Sequence, residues 1–151
     1  MPEFVKNDVQ TVLLGESLLF DDSIPCRSGY IIHDNGSGVF VLRGISTRCF
    51  ARYVVHFSGN IAIPADGTAS EPIAVAFAVN GETKATSRAV VTPTAVDDYF
   101  NVSANAIVDV PRGAVFTLSV RSVSGVTVGA TGTPAPAINV ENANLTIDKT
   151  A

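Results

Sequence analysis

Apolar and polar residues alternate with a period of two along most of this chain. The clearest run places Phe100, Val102, Ala104, Ala106 and Val108 on one side and Tyr99, Asn101, Ser103, Asn105 and Ile107 on the other. Strand side chains alternate faces, so this reads as a β-strand with one apolar and one nearly uncharged polar face. A Pro111-Arg112-Gly113 turn leads into a second run. There Phe116, Leu118 and Val120 share one face, and Val115, Thr117, Ser119 and Arg121 the other. The pair reads as a hairpin. A hairpin alone cannot bury its apolar side, so both strands must belong to larger sheets.

Strand signals continue on either side. Residues 10–20 are strand-like with an interruption at Gly15, and residues 29–44 hold two apolar runs around Asp34-Asn35-Gly36-Ser37-Gly38. A Gly-containing loop between such runs predicts a hairpin. Residues 50–64 set Ala51, Tyr53, Val55, Phe57, Ile61 and Ile63 against Arg52, Val54, His56, Ser58 and Asn60. The unbroken apolar run Ile73–Val79 suits a strand covered on both faces, with an Asn80-Gly81 turn after it. Residues 138–150 close the chain with Ala143, Leu145 and Ile147 on one face and Asn142, Asn144 and Thr146 on the other. No segment holds a helical period over three turns. About ten short strands predict an all-β, two-sheet antiparallel jelly-roll sandwich. The predicted core is Tyr53, Val55, Phe57, Phe77, Phe100, Val102, Phe116, Leu118, Leu145 and Ile147. The 151 residues suit one domain, 1–151, with residues 1–8 as an N-terminal arm and the Gly/Thr/Pro-rich residues 125–137 as a flexible loop.

Composition changes the picture in one respect. Charged residues make up 16% of the chain, against roughly 25% in an average soluble domain, while 46% are hydrophobic. Surface of that kind calls for cover by another chain. With a net charge of −4 and only three lysines, the chain lacks the basic footprint of a nucleic-acid binder. The longest apolar run is far short of a membrane span, and residues 1–10 carry no export-signal pattern. Cys26 and Cys49 flank the 29–44 hairpin. The expectation is two reduced thiols, although the hairpin should bring them near enough to pair.

Catalytic chemistry is thin. His33 and His56 are the only imidazoles, and His56, on a strand face, is expected to be a hydrogen-bonded structural residue. There is no nucleophile elbow, zinc-protease helix or phosphate loop. Asp21-Asp22 and Asp97-Asp98 are acidic pairs of the type calcium takes, yet no third ligand accompanies them and they read as solvated turns. The expectation is a protein that is not an enzyme and that uses no cofactor and no metal.

The order of these features resembles a known family. The residues that carry the resemblance are the Gly29-Tyr30-Ile31 hairpin, the aromatic strand Phe50 to Ile63, and the apolar strand Ile73 to Gly81. They continue with the polar-alternating strand Tyr99 to Gly113, its apolar return, and a last strand ending in residues 142–149. It is the jelly-roll family of tumour necrosis factor and the complement globular heads, and the chain looks closest to small bacterial and bacteriophage members. The resemblance implies a homotrimer packed through the outward faces of three strands. The implied interface is Arg52, Val54, His56, Ser58, Asn60, Tyr99, Asn101, Ser103, Asn105, Asn142, Asn144 and Thr146. Short amides and hydroxyls suit a close-packed interface better than a solvated face. The implied function is a structural knob on a bacteriophage virion, assembled in the bacterial cytoplasm and docked on a capsid, fibre or surface scaffold protein. The alternative is a receptor- or glycan-binding module on a bacterial or spore surface. Neither involves nucleic acid or membrane insertion.

Overall fold

The computed structural model describes residues 3–24, 29–126 and 133–151. Its strands in chain order are β1 (Glu3–Lys6), β2 (Gln10–Leu13), β3 (Asp22–Ile24), β4 (Ile31–Ile32), β5 (Phe40–Arg43) and β6 (Phe50–Ala62). They continue with β7 (Ile73–Val79), β8 (Glu82–Thr83), β9 (Ala89–Val91), β10 (Phe100–Pro111), β11 (Val115–Ser124) and β12 (Ala137–Lys149). Among the described residues the helical content is one 3-10 turn, Ala85–Ser87. The all-β antiparallel sandwich expected from the alternation is therefore borne out, with twelve strands among the described residues in two six-stranded sheets.

The front sheet runs β10-β6-β12-β1-β3, with β2 also on β12. The back sheet runs β4-β5-β11-β7-β8, with β9 also on β7. The chain changes sheets at Gly15, whose φ of +89° suits glycine. Before it, β2 pairs with β12; beyond it, Gly15 and Leu18 donate backbone bonds to Ser122 and Val120 of β11.

Three expectations need correction. Residues 3–6 are not an arm: β1 lies between β12 and β3, with Phe4 buried. The Pro111–Gly113 turn does not close a hairpin, because β10 pairs with β6 and β11 with β5 and β7. It is a corner that carries the chain from one sheet to the other. Phe100 was expected in the core but is 38% exposed, and Phe116 is only partly buried. Residues 127–132 of the loop expected over 125–137 lie outside the described residues, as does Cys26.

The core fills the space between the sheets. Tyr53, Val55, Phe57 and Ile61 of β6 and Leu145 and Ile147 of β12 are buried there with Phe77, Leu118 and Val120 from the back sheet. Phe4, Phe20, His33 and Phe40 form an aromatic cluster in which the His33 ring stacks on Phe40 at 4.2 Å. A ring nitrogen of His33, Nε2, lies 2.8 Å from the Ser37 carbonyl and donates to it. His33 thus takes the structural role expected of His56.

Candidate functional site

The candidate site is the outward face of the front sheet, and strand register determines its layout. Across β10, β6 and β12, successive rows are Asn101–Asn60–Glu141, Ser103–Ser58–Asn144 and Asn105–His56–Thr146. Ile107–Val54–Asp148 and the pair Asp109–Arg52 follow. Strand β1 extends two rows, with Val5 opposite Asn144 and Glu3 opposite Thr146. The implied interface residues on these three strands therefore do lie on one face. Tyr99 just precedes β10 and is hydrogen-bonded to Asn139; burial, then the nearby Glu141 charge, raises its pKa.

A bulge makes this layout possible. Along β12 the core residues are Ile138 and Val140, then Ala143, Leu145 and Ile147, so the inward parity switches between Glu141 and Asn144. Asn142 takes a φ of +53°, a left-handed conformation that Asn tolerates better than most residues. Glu141 and Asn142 consequently both stand outside the core.

The polar groups at the upper end of the face are linked to one another. Asn101 Nδ2 donates to Asn60 Oδ1 at 3.2 Å and to Ser58 Oγ at 3.3 Å, and Asn60 Nδ2 lies 3.4 Å from Asn142 Oδ1. Ser103, Asn105 and His56 are exposed. At the lower end Arg52 holds Asp109 through two parallel bonds, 2.8 and 3.0 Å long. This pair lowers the pKa of Asp109 and raises that of Arg52. Asp109 was missed at the sequence level, and Ile107, already placed on this face, was left out of the implied interface, although the alternation that picks out Asn101 and Asn105 runs on to both.

Side chains of this kind donate and accept hydrogen bonds but do not assemble acid–base machinery. Among the described residues no three His, Cys, Asp or Glu side chains gather to hold a metal ion. Cys49 is exposed; whether it meets Cys26 lies outside the described residues.

No protein-family model and no curated protein sequence matches the chain. Among solved structures it is similar to the globular domain of zebrafish complement 1qA protein, 12% identical, with a TM-score of 0.57 over 95% of this chain and 92% of that one. It is similar also to Eiger TNF from S. frugiperda, 11% identical, with a TM-score of 0.61 over 100% of this chain and 92% of that one. The fold is the tumour necrosis factor-like jelly roll. At such identities the likeness extends to the architecture alone. Within this jelly roll the face just described belongs to the sheet centred on β6 and β12, and β10 forms its open edge.

Proposed function

We propose that the protein is a non-enzymatic structural knob, a homotrimer whose subunits meet through the outward face of the front sheet. The observation that carries this reading is the run of uncharged rows across β10, β6 and β12. In the middle of a broad exposed face stand Ser103, Ser58, Asn144, Asn105, His56 and Thr146, with Ile107 and Val54 beside them. A face kept in water normally carries Lys and Glu, whereas depletion of charge marks the centre of an interface. Here charge is confined to the margins: Arg52 and Asp109 below, Glu3, Glu141 and Asp148 to the side. The resemblance in feature order to small bacteriophage members favours a place on a virion surface, docked to a capsid or fibre protein. Mass spectrometry of purified particles tests that placement, and its absence from them would overturn it.

The trimer is tested by light scattering. One chain weighs 15.7 kDa, so the native protein should give about three times that mass. Ser103→Asp places a charge at the centre of the face in all three copies. An unpaired charge in such an interface costs about 3–5 kcal/mol, so this variant should run as monomer with an unchanged circular dichroism spectrum. A native mass of one chain at micromolar concentration would sink the interface.

A further inference from the structure

The two ends of the sandwich carry opposite charge. At one end β5 finishes at Arg43, β6 begins at Phe50, β10 finishes at Pro111 and β12 finishes at Lys149. Backbone bonds lace these termini together: Gly44 donates to Ala114, Arg112 to Cys49, Gly113 to Gly44 and Thr150 to Arg52. A methyl group on Gly44 would come within 2.1 Å of the Pro111 carbonyl oxygen, so the close approach requires glycine. Five of the ten Lys and Arg residues of the chain gather here: Arg43, Arg48, Arg52, Arg112 and Lys149. The acids nearby are Asp109, already held by Arg52, and Asp148.

At the other end the loops 63–72 and 92–99 meet through bonds from Ser70 to Pro93 and from Asp97 to Ile63. They carry Asp66, Glu71, Asp97 and Asp98 and no basic residue. A chain of net charge −4 therefore keeps one strongly positive end.

That positive end contains a cleft of about 430 Å³ lined by Tyr30, Ile45, Ser46, Thr47, Arg48, Lys149 and Ala151. Tyr53, outside the lining, fastens the backbone beside it. This buried side chain stands opposite Lys149 in the β6–β12 ladder, and its hydroxyl lies 2.6 Å from the Arg43 carbonyl oxygen and 3.2 Å from that of Tyr30. The Lys149 ammonium sits 4.7 Å from the centre of the Tyr30 ring. Arg43 is occupied with the Gly29 carbonyl, while the exposed Arg48 guanidinium has no partner among the described residues.

We infer that this cleft binds an acidic saccharide unit through its carboxylate or phosphate group. Arg48 supplies a planar fork for two parallel bonds to the anion, and Lys149 supplies a second positive charge. Ser46, Thr47 and the edge of Tyr30 match sugar hydroxyls and ring carbons. The ligand is a short unit rather than a nucleic acid, because the acidic remainder of the molecule repels a long polyanion beyond this end. The site opens between the two sheets at their lower end, so it does not depend on the trimer.

Titration of the full chain by calorimetry, with backbone NMR shifts to locate binding, tests the assignment. The probes are a galacturonate trisaccharide, glucose 6-phosphate and uncharged galactotriose. One or both acidic probes should bind, weakening as salt rises, with shifts centred on residues 45–48 and 149. Which of them binds distinguishes carboxylate from phosphate. Arg48→Ala and Lys149→Gln should each weaken binding by about tenfold or more, whereas Lys84→Ala, remote from the cleft, should leave it unchanged. Equal binding of galactotriose, equal binding of plain sulfate, or no binding of either acidic probe at millimolar concentration would overturn the proposal. So would equal weakening by Lys84→Ala.

Discussion

The Tyr53 hydroxyl reaches from the front sheet to two backbone carbonyls of the back sheet. Tyr30 O also accepts from the Arg43 N–H, but the Arg43 carbonyl relies on the phenol. Tyr53→Phe should therefore cost about 1–3 kcal/mol in urea unfolding, the range for a buried carbonyl left unsatisfied. Burial raises the pKa of Tyr53 above its ordinary 10.0. The folded state thus holds this proton more tightly than the unfolded chain. Its contribution is complete below pH 10 and is lost as pH rises from there through the folded-state value. Wild-type stability should fall more steeply above pH 10 than that of Tyr53→Phe, and parallel curves would refute this. At this scale the alternation identified which residues face the core but not how deeply each is covered. Phe100 has the correct parity, yet it opens an edge strand at the rim of the sandwich. The bulge was partly legible, since Ile138 and Val140 have even numbers and Ala143, Leu145 and Ile147 odd ones.

At the scale of elements, the sequence shows where strands run more clearly than which strands pair. Pro111-Arg112-Gly113 has the composition of a hairpin turn, and turn chemistry alone does not distinguish a hairpin from a corner between sheets. Register and pairing depend on contacts distant in sequence, which local propensity does not record. The edge of β7 shows the same limit. Its C-terminal part pairs with β8 and its N-terminal part with β9, leaving Ala76 and Phe77 between them. The Ala85–Ser87 turn fills that gap: Lys84 N–H donates to the Phe77 carbonyl, and Ser87 Oγ accepts from the Phe77 N–H at 2.9 Å. Ser87 is buried and donates onward to Lys84 O at 2.7 Å. Ser87→Ala strands a buried N–H, with an expected loss of about 1–3 kcal/mol. Hydrogen exchange at the Phe77 amide should accelerate in that variant more than exchange at Val120 across the ladder; equal acceleration would mean general loosening instead.

For the molecule as a whole, low charge and high apolar content pointed to a covered surface before any strand was placed. The polarity of charge between the two ends was also written in the chain, since no Lys or Arg occurs in residues 53–83, 89–111 or 122–148. It became visible only when the antiparallel ladders brought Arg43, Arg52, Arg112 and Lys149 to one end. Those ladders also impose an order on biosynthesis. Strand β12 lies between β6 and the β1–β2 edge, with Glu3 opposite Thr146 and Thr11 opposite Asn139. The front sheet cannot close until residues 137–149 have emerged from the ribosome, so β1, β2 and β6 must wait with apolar sides uncovered. Such long-range closure is slow and exposes the nascent chain to aggregation. A ribosome-arrested chain displaying only residues 1–136 should be protease-sensitive and bound by chaperones, and protection should arise only once β12 is displayed.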